Sequence, residues 1–127
     1  MGSVGMLEKF NPVEKVRLDN VRLEELYQSH GPTVAEDLIS RAMEELAVLL
    51  AKVNRVYQKG DLANVRSVAM NISGISEQVG MSVLSNVACD VTGLTERNDG
   101  PALAATTARL TRLGERTLMA VWDIQDL

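Results

Sequence analysis

The sequence predicts an all-α fold, an antiparallel four-helix up-and-down bundle with a short extra helix at its start. Three observations predict it. Apolar residues recur at three- and four-residue steps through four long segments. Gly, Pro and Asp/Asn clusters punctuate the gaps between them. No stretch alternates apolar and polar residues long enough to make a strand. Composition agrees, since 46% apolar and 24% charged residues are globular proportions. Aromatics are only 3%, so the core falls to Leu, Val, Ile, Ala and six Met. Leu, Ala and Met rank high in helix propensity, as bundle cores require.

Residues 1–17 read as a lead-in, with Gly2, Gly5 and Pro12 and no clean period. Met1–Gly5 are compatible with a tag ahead of a native Met6 and stay outside the fold argument. The bundle domain is assigned to residues 18–127. Asp19 opens its short extra helix on Val21, Leu23, Leu26 and Tyr27, and Ser29-His30-Gly31-Pro32 stops it. Thr33 with Glu36 three residues later forms a capping-box pattern, which predicts one long helix over 33–58. Its stripe is Val34, Leu38, Ile39, Ala42, Leu46, Leu49, Leu50, Val53, Val56 and Tyr57. Lys59-Gly60 ends that helix with a cation and a C-cap glycine.

Asp61 caps the third helix, whose stripe runs through Leu62, Val65, Val68, Ala69, Ile72, Ile75 and Val79. Gly80 interrupts, and a fourth helix follows on Val83, Leu84, Val87, Ala88, Val91 and Leu94. Residues 96–101, Glu-Arg-Asn-Asp-Gly-Pro, form a turn. The last helix carries Leu103, Leu110, Leu113, Leu118, Val121, Trp122 and Ile124. Short connections between four helices of this length favour antiparallel neighbours.

The charge balance narrows the function. A net charge of −4 opposes nucleic acid, whose binding needs a basic face, and gives no attraction to anionic lipid. Cys89 is the single cysteine, so no internal disulfide forms, and a reducing cytoplasmic location is expected. There is no apolar run of about 18 residues for a membrane span and no basic-then-apolar secretory leader. No phosphate loop, catalytic triad, paired catalytic carboxylates or zinc motif is present, so no metal and no cofactor are expected.

The stretch VAMNISGISEQVGM, residues 68–81, is the informative one. It holds Gly74 and Gly80 six residues apart, Ala69 five residues before the first glycine, and Gln78 between the two. With the Glu-rich long helix, the Lys59-Gly60-Asp61 turn, and Leu84 and Asp90 beyond it, the chain resembles the histidine-containing phosphotransfer (HPt) domains of bacterial two-component phosphorelays. The resemblance covers about Asp19 to Trp122. The family's motif is Ala-His, two residues, Lys-Gly, then a second Gly six residues on. Ala69, Gly74 and Gly80 match it, and Gln78 stands where the family has Asn or Gln. Two positions depart: Met70 occupies the place of the phosphorylated His and Ser73 that of the Lys.

Those departures decide the expected chemistry. The family's imidazole takes a phosphoryl group from a receiver domain's phospho-aspartate, which calls for a neutral nitrogen near physiological pH. A thioether gives no stable phosphoryl adduct, serine without a base is a weak nucleophile, and Glu77 repels an incoming anion. The resemblance therefore implies no enzyme but a non-catalytic signalling module. It would dock a response-regulator receiver domain or a histidine kinase through Met70, Ser73, Gly74, Glu77 and Gln78.

Each residue also has a plainer reading. Met70 lies at the edge of the stripe, which favours half-exposure over the core. Gly74 serves either a close helix–helix approach or a notch for a partner, and its outward phase favours the notch. His30, the only histidine, is read as a turn or capping residue, Cys89 as a small hydrophobe packed in the fourth helix, and Trp122 as the anchor of the core near the C-terminus. Two alternatives stand beside the docking module. One is a structural, self-associating bundle, for which a homodimer is the simplest form. The other is a phosphocarrier with a non-standard acceptor, for which His30 is the candidate.

Overall fold

The computed structural model describes residues 18–125, with side chains to residue 123, so the lead-in over 1–17 and the Ile124 side chain lie outside the described residues. Five helices follow one another: α1 (Asn20–His30), α2 (Pro32–Gln58), α3 (Leu62–Gln78), α4 (Ser82–Leu94) and α5 (Gly100–Gln125). No strand occurs among the described residues.

The caps explain where the helices start. The Asp19 carboxylate accepts the Arg22 amide at 3.2 Å and opens α1. Asp61 opens α3 in the same way, accepting the Asn64 amide at 3.2 Å and the Asn64 side-chain amide at 2.6 Å. The Asn64 side chain and then its backbone N–H hold the Asp61 carboxyl below its ordinary range. Asp99 does the same for α5, taking the Ala102 amide at 3.0 Å.

The expected cap at Thr33 is overturned. Gly31 is the cap residue, Pro32 fills the first turn, and Thr33 is already helical. Gly31 has φ +82°, a left-handed conformation that turns the chain within one residue and donates its N–H to Tyr27 O at 2.9 Å. Proline then begins the helix at no cost, because its missing N–H is one the first turn leaves unbonded anyway. Gly31-Pro32 thus replaces a side-chain cap.

Helices α2, α3, α4 and α5 form a closed ring of contacts: α2 on α3, α3 on α4, α4 on α5, and α5 back on α2. Their shared core contains Met43, Leu46, Ile72, Met81, Leu84, Leu110 and Leu113, all essentially without exposure. On α2 the buried set is Ala35, Ile39, Ala42, Met43, Leu46, Leu50 and Val53, a helical stripe. Val34, assigned to that stripe by sequence, is 49% exposed, and Leu62 on α3 is 44% exposed. The buried stripe of α2 begins at Ala35, about 100° around the helix from Val34, and that of α3 begins at Val65.

α1 packs against α2 and ties down the α3–α4 turn. Asp19 N donates to Gly80 O at 2.6 Å and Arg22 Nε to Gln78 O at 3.1 Å, so α1 satisfies carbonyls at the end of α3. Gly80, with φ +76°, is required twice. It carries the left-handed turn, and a Cβ there would lie 2.9 Å from Asp19 O.

Candidate docking face on α3 and α4

Four of the five residues proposed from sequence lie on the outside of α3 as exposed positions; the fifth, Ser73, is half-buried. Met70 is 54% exposed, as its place at the stripe's edge predicts. One turn on, Gly74 is exposed, and a Cβ built on it would meet no heavy atom within 4 Å. Gly74 therefore serves no close helix–helix approach among the described residues, and the surface beside it is open. Glu77 continues the same outer line.

Ser73 and Gln78 diverge to either side of that line. Ser73 turns to α4, its Oγ 3.1 Å from Ser85 Oγ and 3.4 Å from Cys89 Sγ. Ser85 Oγ donates to the Ser73 carbonyl at 3.0 Å. That bond uses the single Ser85 hydroxyl proton, so the Ser73 hydroxyl donates to Ser85 Oγ and accepts from the Cys89 thiol. The relay is closed, and none of its members is a general base. The Ser73 hydroxyl is therefore held as a structural link between α3 and α4.

Gln78 points the other way, into a groove of about 360 Å³ shared by α1, α2 and α3. His30 lines this groove too, with Arg22, Arg41 and Glu45. It is the last residue of α1, directly before the C-cap Gly31, and it is exposed. It faces α3 at Gln78, eight positions and so about 12 Å along the helix from Met70. Arg22 pairs with Glu25 at 3.2 Å and Arg41 with Asp37 at 3.0 Å, so both groove arginines are already balanced.

Two expectations fail here. Cys89 is exposed rather than packed as a small hydrophobe. The buried stripe of α4 is Leu84, Ser85, Val87, Ala88 and Val91, and position 89 is a full 100° away from Ala88 around the helix. The stripe itself carried that information. Trp122 is 44% exposed and does not anchor the core; Leu118 and Val121 do so on α5. Ser85 was not singled out from sequence, because nothing in its spacing signals a hydroxyl aimed at a neighbouring helix.

Among the described residues no group of three or more His, Cys, Asp or Glu side chains is placed to hold a metal ion, and no helix is long and apolar enough to cross a membrane. Comparison with known proteins found no family model, no curated protein and no solved structure that matches the chain.

Proposed function

We propose that the chain is a non-catalytic signalling module, an antiparallel four-helix bundle of HPt type that docks a receiver domain or a histidine kinase without carrying a phosphoryl group. The observation that carries this reading is the open space at Gly74 beside the half-exposed Met70. A glycine in a helix interior costs stability relative to alanine, so one with empty space beside it invites a reason other than packing. A partner loop brought against the α3 backbone is such a reason. Met70 supplies a flexible apolar contact of the kind that adapts to a partner's shape. Ser73, tied to Ser85 and Cys89, holds the wall of the notch rigid.

In this role the module occupies the receiver's phosphorylation face and competes with the true phosphodonor. The test is calorimetric titration of the chain with receiver domains from the same source, with and without a phosphoryl mimic on the aspartate. Micromolar binding is expected, and Gly74→Leu is expected to weaken it at least tenfold while leaving the folded state intact. Binding that persists unchanged in Gly74→Leu would overturn the notch. No binding to any receiver or kinase would overturn the function.

A further inference from the structure

The seam between α2 and α5 carries a second open groove, on the helices other than those bearing Met70 and Gly74. It encloses about 540 Å³, with Leu50, Ala51 and Leu118 in its lining and Met119 and Trp122 beside them. Met119 is 61% and Trp122 44% exposed, and Val48, next to Ala47 on α2, is 65% exposed. An exposed Trp and Met over an apolar lining are the side chains that interface cores favour.

The same groove is lined by Arg55 and Glu115, one cation and one anion. Neither forms an ion pair or hydrogen bond through its side chain with another described residue. A two-fold interface presents one patch to itself, so a groove of single sign would repel its own copy. A groove with one charge of each sign attracts its copy instead, whereas a partner of uniform charge would be opposed by one of the two.

We infer that this seam is the two-fold interface of a homodimer. Arg55 of each copy pairs with Glu115 of the other, and Met119 and Trp122 pack across the axis. The inference does not rest on the docking reading, since Gly74→Leu leaves this face untouched.

The experiment is sedimentation equilibrium of the full chain across the micromolar range. The wild-type chain is expected to reach twice the chain mass. Arg55→Glu alone and Glu115→Arg alone are expected to stay monomeric, each facing its copy with like charges. An equimolar mixture of the two is expected to dimerise, because every contact then joins opposite charges between copies. That rescue by mixing separates pairing between copies from any effect within one chain. Met119→Glu serves as a second variant that an exposed position tolerates. It is expected to keep wild-type helicity by circular dichroism and weaken association about tenfold. A wild-type chain monomeric throughout would overturn the interface and leave the groove to a different protein's helix. Single variants that dimerise like the wild type, or a mixture that does not associate, would overturn the Arg55–Glu115 pairing.

Discussion

Gly74 and Gly114 both sit inside long helices, and their surroundings are opposite. Around Gly74 in α3 there is nothing within 4 Å of an added Cβ. At Gly114 in α5 the same atom would fall 2.5 Å from Leu50 Cδ1 and 2.7 Å from Cδ2. Leu50 is only 4% exposed, and both of its Cδ atoms would have to move to admit a side chain at 114. Gly114 lets α5 come close to α2. Gly74 serves no internal contact at all. Residue type and helical position are shared, so the difference lies wholly in which helix stands opposite. The fold explains Gly114 by its packing partner and gives no such reason for Gly74, nor for Gly93 in α4, where an added Cβ would likewise meet nothing within 4 Å.

The comparison breaks most easily at Gly114. Gly114→Val is expected to lower unfolding free energy by about 1–3 kcal/mol, the usual range for overpacking a filled site. Urea unfolding measures it, as a lower midpoint at unchanged slope. The cost should shrink in a Leu50→Ala background, where the added methyl groups enter vacated space, so the two changes are non-additive. A variant as stable as the wild type would mean that Leu50 yields freely, and the contrast with Gly74 would collapse.

A smaller effect of opposite sign is expected at Gly74. Gly74→Ala should raise stability by about 0.5–1 kcal/mol, because alanine loses less backbone freedom on folding and meets no obstacle. Thermal melts of Gly74→Ala and Gly114→Ala side by side give the comparison directly: the first should melt above the wild type and the second should gain less or fall. If both rise equally, the two sites are equivalent and Gly74 loses its significance.

The smallest effect concerns the cap that starts α3, the helix bearing Gly74. Asn64 holds the folded Asp61 carboxyl below its ordinary value. A depressed folded pKa adds stability that is complete above the unfolded value and disappears as pH falls through the folded one. The melting temperature should therefore drop on acidification below about pH 4, where free carboxyls protonate. Asp61→Asn, which still caps but does not titrate, should show a shallower drop. Equal slopes would remove Asp61 from the acid response.

Much of the molecule was legible in its order of residues. The Asp19 and Asp61 caps and the glycine at 60 marked helix ends from local chemistry, and the chain obeys them, whereas of the turn expected over 96–101 Gly100 and Pro101 already belong to α5. At the start of α2 two valid local signals compete over four residues, and Gly31-Pro32 prevails over the Thr33 cap by completing both helix ends at once. In the candidate site, the outward phase of Met70 and Gly74 followed from the α3 period alone. Ser85 did not, since its hydroxyl gains meaning only from the α3 carbonyl it meets.

The sequence by itself determined the all-helical class, the order of five helices, their approximate limits and most buried positions of α2 to α5, whereas of the expected α1 stripe only Leu26 is buried and Val21 is 67% and Tyr27 37% exposed. These depend on hydrogen bonds and periodicities that span a few residues, so they are written locally. Tertiary structure alone decided what covers each stripe's edge. It exposed Trp122, made Gly114 a contact for Leu50 and left no neighbour opposite Gly74. The physical reason is that a period gives a side chain's direction from its own helix axis, whereas burial depends on whether another helix lies in that direction.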